Sequence, residues 1–324
     1  MEFIYGVTFL PFGRRGTLQG KEAYKSLRLM KEGTAATHVI FAPAGIQQTP
    51  QSENIDFSGP HTFSDEELCG MISYAQLMGL QVILKPTVNC ANGVWRAHIN
   101  FFDNEVPCEP KWRNWFASHE AFQLHYAALA EKTGCVMFIT GCEMVMAQRR
   151  EAEWRDLIAK VKQVYSGPVS YNTDKYQEDQ VRWWDCVDVI SSSGYYPFES
   201  WGNELDRIET VVKQYRKPFF FAEAGCMSIH GSGSVPNDWS VRGAPDMEEQ
   251  ARWFQEMFMH TDRCPWMQGF GMWEWPARLY SSADAAEDIS YCFYAKPAER
   301  AIAAYYAAKS GRASSEWQPG PNRG

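Results

Sequence analysis

Val-Met-Phe-Ile-Thr-Gly-Cys-Glu at 136–143 and Pro-Phe-Phe-Phe-Ala-Glu at 218–223 are the two stretches that decide the fold. Each is a short apolar run without polar alternation, as in a strand buried on both faces, and each ends on a glutamate, Glu143 or Glu223. A carboxylate at the end of a core strand is costly to desolvate unless its charge is used. The two glutamates stand 80 residues apart, about three strand–helix units of an eight-fold barrel of ~250 residues. That spacing places them on strands four and seven, facing one mouth.

Outward from these runs, the same alternation fills the chain. Strand-like segments fall at Ile4–Phe9, His38–Ala42, Gln81–Lys85, Met137–Thr140, Val169–Asn172, Val187–Ser192, Phe219–Ala222 and Gln268–Met272. Helical periodicity fills the gaps at Lys21–Glu32, Ser64–Leu77, Trp112–Lys132, Glu151–Val164, Gln177–Asp185, Asn203–Gln214, Met247–His260 and Pro297–Ala308. Ser64-Asp65-Glu66-Glu67 reads as a capping box that fixes one helix start. Eight strand–helix repeats predict an α/β protein, a (β/α)8 TIM barrel forming a single domain over residues 1–309. Residues 310–324 lose periodicity and collect Ser, Gly and Pro, the composition of a disordered tail. Two connections exceed what a barrel needs: Thr87–Lys111 after strand three and Gly225–Asp246 after strand seven. Long loops at the carboxyl ends of strands are where a barrel builds a site.

Composition narrows the partners. A net charge of −8, with no long basic tract, disfavours nucleic acid and anionic membrane surfaces. No run of eighteen apolar residues supports a membrane span. Aromatics make up 15% of the chain, with 13 Trp, a surplus that suits core packing and equally a groove in which sugar rings stack. The chain opens on a strand without a basic leader, and its nine cysteines include no Cys-x-x-Cys pair. Both features predict a cytoplasmic setting with free thiols. Oligomeric state leaves no trace in the sequence.

The chemistry rests on the paired glutamates. Two carboxyl groups flanking one cleft are the minimal apparatus for cleaving a glycosidic bond: one protonates the leaving oxygen while the other attacks the anomeric carbon or activates water. Taken singly, either glutamate is more often a strand-end carboxylate held by Arg or Lys; two at matching strand ends favour catalysis. Lys85, Asn89, Trp95 and Arg96, after strand three, and Asn172, at the end of strand five, are candidate substrate contacts, since a sugar needs donors as well as a stacking face. His98 on the same loop is as well explained by a solvated ring. The seven His form no His-x-His or His-Glu-x-x-His set, Gly231-Ser232-Gly233-Ser234 lacks the Lys of a phosphate loop, and no Gly-x-Ser-x-Gly elbow occurs. Neither a metal nor a cofactor is expected.

Gly-Cys-Glu (141–143), Gly-Tyr-Tyr-Pro (194–197), Ala-Glu-Ala-Gly (222–225) and Met-Trp-Glu-Trp (272–275) together resemble the clan of retaining (β/α)8 glycoside hydrolases with glutamates on strands four and seven. Within that clan the chain is most similar to the bacterial β-mannanases of glycoside hydrolase family 113. Leu-Lys-Pro-Thr-Val followed by Gly-Val-Trp-Arg (84–96), Glu-Ala-Glu-Trp-Arg-Asp-Leu-Ile (151–158) and Ser-Gly-Pro-Val-Ser-Tyr-Asn (166–172) carry this closer likeness, which covers roughly residues 1–309. The resemblance implies a retaining endo-β-1,4-mannanase acting on mannan, glucomannan or manno-oligosaccharides, with transglycosylation as a side reaction. A β-glucanase or xylanase of the same clan, and a non-catalytic carbohydrate-binding barrel, are the alternatives.

It further implies Glu143 as acid/base, Glu223 as nucleophile and Tyr195 as hydrogen-bond partner of the nucleophile, with Tyr196 not excluded from that place. Trp273 is the implied platform beneath the sugar beside the cleavage point. Trp275 is equally well a core residue, and Glu274 between them is more readily salt-bridged or exposed than part of the site. One position departs from the clan, where many members carry Asn before the acid/base: here it is Cys142, a weaker hydrogen-bond partner for a sugar 2-hydroxyl.

Overall fold

The computed structural model describes residues 1–311, so most of the predicted tail lies outside the described residues. Eight strands, β1 (Ile4–Phe9), β2 (His38–Phe41), β3 (Gln81–Leu84), β4 (Met137–Cys142), β5 (Val169–Thr173), β6 (Val189–Ser193), β7 (Phe219–Ala224) and β8 (Met267–Trp275), close into one parallel barrel in sequence order. Parallel neighbours need a crossover between them, and helices supply it at every connection but that from β5 to β6, with two more after β8. They are α1 (Lys21–Thr34), α2 (Asp65–Leu77), α3 (Trp112–Thr133), α4 (Glu151–Val164), α5 (Trp201–Tyr215), α6 (Met247–Thr261), α7 (Ser282–Glu287) and α8 (Pro297–Lys309). The Ser64 box is formed as expected: Glu67 N donates to Ser64 Oγ at 3.2 Å and Ser64 N donates to Glu67 Oε2 at 2.9 Å.

One expected helix does not form. Residues Gln177–Asp185 run as turns, with only a 3-10 turn at Trp184–Cys186. Tyr176 takes a left-handed backbone (φ 63°), which interrupts any helix at its start. The segment is then spent on inward contacts: the buried Glu178 carboxylate accepts from Ser192 Oγ, Tyr196 OH and Arg207 Nη2, while the buried Trp183 and Trp184 rings donate to the carbonyls of Gln148 and Glu178. The connection crosses the barrel surface without helical periodicity.

The interior is layered. Ile4, Ile40, Ile83, Met137, Ile139, Val189, Phe220 and Ala222 pack within the barrel, while a larger apolar layer joins the outer strand faces to the helices. Towards the carboxyl ends the inward positions turn polar, with Lys85, Ser170, Asn172, Ser191, Ser193 and Glu223 all buried. Strands β2 and β3 also run past the rim. Pro43 and Pro86 break their hydrogen-bond ladders, after which residues Ala44–Gln47 and Thr87–Cys90 pair as a separate two-stranded parallel sheet. This extension raises one wall of the mouth.

Candidate active site

Both glutamate strands carry one extra residue at the rim. Between the pairs Ile139–Ser170 and Cys142–Asn172, β4 uses one residue more than β5; between Ser192–Phe221 and Ser193–Glu223, β7 uses one more than β6. Such bulges turn a side chain from one face to the other. Phe220 and Ala222 already face the interior, so strict alternation would point Glu223 outward; the slip at Ala222 brings it in. On β4 the slip coincides with Gly141 at φ 116°, where a Cβ would lie 3.0 Å from the Trp154 ring and 3.1 Å from Tyr171, so glycine alone fits. Glu143 follows in the left-handed region at φ 52°, an uncommon state for a glutamate and a strain of the kind that clusters at functional sites.

The two carboxyl groups line one cleft of about 950 Å³ at the carboxyl end of the barrel. Glu223 sits on its floor. Lys85 Nζ and Cys142 Sγ (3.3 Å) donate to its Oε1, and Tyr195 OH donates to its Oε2 at 3.0 Å. Burial pushes the Glu223 carboxyl up, but the charges of Lys85 and Arg96 and the bonds from Lys85 and Cys142 outweigh it, holding the group below the ordinary carboxylate range. Burial and the Glu223 charge push the Cys142 thiol and the Tyr195 phenol well upward, so both stay protonated as donors.

Glu143 is held from the rim. Arg96 Nη1 and Trp95 Nε1 donate to its Oε2 at 2.7 and 3.0 Å, and Ser193 Oγ donates to its Oε1 at 2.7 Å. Arg96 is itself anchored to the β2–β3 extension, through Nε to the Val88 carbonyl at 2.8 Å and Nη2 to Asn89 Oδ1 at 2.8 Å. Beside Glu143, Asp174 is pushed up to about 7 by burial and the Glu143 charge, against the opposing charge of Lys175.

Not every expected contact reaches the cleft. Glu143, Glu223, Tyr195, Asn89, Trp95, Arg96 and Trp273 line it. Lys85, Cys142 and Asn172 lie beneath it, fully buried; the first two bind Glu223, and Asn172 Nδ2 donates to Ser193 Oγ at 2.9 Å. They act through a carboxylate or its partner. Tyr196 points away from the site into the Glu178–Arg207 cluster behind β6. Trp275 likewise faces outward, where its ring packs on Phe293 and Tyr294 and its Nε1 donates to Ser26 Oγ at 3.0 Å. Both are core residues: Tyr196 lies past the end of β6, and Trp275 follows an extra residue that β8 uses between Met272 and Trp275 relative to β1, which turns it away from the face of Trp273. Glu274, expected to be salt-bridged or exposed, lines the cleft half-buried, and among the described residues it has no ion pair.

The sequence reading missed Ser193, Asp174, Tyr291 and the rim aromatics Phe12 and Trp239. Ser193 and Asp174 each stand at a strand end, the one signal available. Trp239, 58% exposed, meets the Trp95 ring edge-on at 6.0 Å, and Phe12 meets Trp273 edge-on at 5.6 Å. Among the described residues one trio brings metal-ligating atoms together, His230, Asp246 and Glu249. Its carboxylates already serve the backbone: Asp246 caps α6 and Glu249 accepts from Gly231 N and Gly233 N.

A search of curated proteins returns no match. Among solved structures, the chain is similar to a GH113 β-1,4-mannanase in complex, with 55% identity and a TM-score of 0.94 over 95% of this chain and 100% of that one. It is also similar to the GH113 β-mannanase AaManA from Alicyclobacillus acidocaldarius in complex with ManMIm, with 42% identity and a TM-score of 0.91 over 95% and 98%. A β-glucuronidase from Ruminococcus gnavus, at 14% identity and a TM-score of 0.63 over 94% of this chain and 50% of that one, shares the fold. The model of Glycoside Hydrolase Family 113 matches residues 7–296, and with a barrel whose fourth and seventh strands bring Glu143 and Glu223 to one cleft, the chain belongs to glycoside hydrolase family 113.

Proposed function

We propose that the protein is a retaining endo-β-1,4-mannanase, acting on mannan, glucomannan or manno-oligosaccharides, with Glu223 as nucleophile and Glu143 as acid/base. The observation that carries the assignment is the unequal treatment of the two carboxylates. Glu223 is kept ionised by the buried Lys85 and the Tyr195 and Cys142 donors, as a nucleophile requires. Glu143 lies nearer the rim, next to Trp95, where a leaving sugar departs. In the first step Glu223 forms a bond to the anomeric carbon, the glycosidic C–O bond breaks, and Glu143 gives its proton to the departing oxygen. Glu143 then takes a proton from water as that water attacks the anomeric carbon and releases Glu223. A sugar hydroxyl in place of the water gives transglycosylation.

Once Glu223 carries the glycosyl ester it no longer has a negative charge facing Arg96 and Lys85. Arg96, whose guanidinium both carboxylates stabilise in the free enzyme, then faces Glu143 alone. The first product and the base of the second step are both served by that arrangement.

Reducing-sugar release from linear β-mannan, with initial products of β-configuration, is the expected result. Azide separates the two roles. With Glu223→Ala and an activated aryl mannoside it should give the inverted glycosyl azide, and with Glu143→Ala the retained one; the opposite pairing would exchange the assignments.

A further inference from the structure

We propose that Glu274 is a further substrate-binding residue, hydrogen-bonding hydroxyl groups of the sugar ring that lies over Trp273 and so helping to select the hexose accepted there. The inference rests on the mannanase reading. Glu274 ends the barrel between Trp273, which faces the cleft, and Trp275, which faces the core, and its side chain lines the cleft wall together with Tyr291 and Glu223. Among the described residues nothing hydrogen-bonds its carboxyl group. Lys296, the cation whose charge acts on it, is committed elsewhere: its Nζ donates to Asp288 Oδ2 at 2.8 Å and Ser228 Oγ at 2.6 Å. Tyr291 OH donates to the Pro236 carbonyl at 2.6 Å and so leaves Glu274 free. A partly covered carboxyl group without a protein partner is costly unless a ligand supplies one.

Its protonation state suits a sugar. Burial, the facing charge of Glu223 and that of Asp288 push Glu274 up to about 8, with Lys296 pulling the other way. Near neutrality it is an uncharged acid, offering one donor and one acceptor to a hydroxyl pair. A carboxylate there would stand against the ionised nucleophile; a neutral acid does not. The structure also leaves this place in the site open, because the Cys142 thiol that replaces the clan's Asn is spent on Glu223. A buried polar group matched to a hydroxyl strongly rejects analogues that lack it.

The test uses a 4-nitrophenyl β-mannotrioside and its forms lacking one hydroxyl on the ring bearing the aryl group. Values of kcat/KM are compared for wild type, Glu274→Gln and Glu274→Met. Removing the contacted hydroxyl should cost wild type about tenfold or more; Glu274→Met should lose a similar factor on the parent but nothing further on that deoxy substrate. Glu274→Gln, which keeps a donor and an acceptor, should stay within about threefold of wild type on the parent. Equal losses for Glu274→Met on every substrate, or a parent rate within about twofold of wild type, would overturn the inference. Should Glu274→Met not fold by circular dichroism, Glu274→Ala carries the same comparison. A wild type inactive on the trioside would overturn the mannanase reading as well, whereas an active wild type with losses that simply multiply removes Glu274 alone.

Discussion

Glu223 and Glu143 are held by different parts of the molecule. The floor around Glu223 is built from strand ends: Lys85 after β3, Cys142 on β4 and Tyr195 just past β6. The rim around Glu143 draws two of its three donors, Trp95 and Arg96, from the long loop after β3, with Ser193 alone coming from a strand. A floor of strands fixes a charge in one place, which a nucleophile needs. A rim of loop residues lets one donor give way, which a group that must exchange a proton with a leaving oxygen needs.

Breaking the floor should cost most. Lys85→Met removes the buried cation against Glu223 and should lower kcat/KM by about 10²–10³-fold, a loss typical of a preorganised charge. It should also move the acidic limb of kcat/KM to higher pH, since Lys85 is one of the groups holding Glu223 down and the limb reports ionisation of the free enzyme's nucleophile. A limb that stays in place would show that Lys85 does not set the charge of Glu223. Breaking the rim should cost less. Trp95→Phe keeps the ring and removes one of two donors to Glu143 Oε2, and the expected loss in kcat is about tenfold, measured at saturating mannohexaose. A loss as large as that of Lys85→Met would erase the distinction between floor and rim. Smallest in activity should be Tyr196→Phe, behind the floor: kcat within about twofold, with stability lower by about 1–3 kcal/mol because the buried Glu178 loses a donor. Urea unfolding alongside the activity assay checks both halves.

The strands, most helices and the glutamate pair were legible because they rest on runs of residue type, and runs are what a sequence displays. What it did not display is direction. Tyr195 and Tyr196 are neighbours of the same kind, yet one bonds the nucleophile and the other bonds Glu178, and only the path of the chain past β6 decides which. Trp273 and Trp275 divide in the same way: a period of two would put both on one face, but β8 uses one residue more than β1 between Met272 and Trp275, and one ring lines the cleft while the other packs on Phe293. The bulge at Ala222 is a further case: a period of two would have turned Glu223 outward, and no residue type announces the extra step. Lys85 read as a sugar contact because position alone cannot show that it stops at the carboxylate below the sugar. The helix expected at 177–185 failed for a related reason, since Glu178, read as a solvent-facing residue of a helix, is spent on the barrel instead.

The small sheet beyond Pro43 and Pro86 has a consequence for how this enzyme can be remodelled. Because Arg96 is tethered through Val88 and Asn89 to that sheet, its position is set before the chain reaches Asn100. Residues 102–109, all exposed, can therefore be trimmed, extended or exchanged for a foreign segment while the guanidinium opposite Glu143 stays where it is.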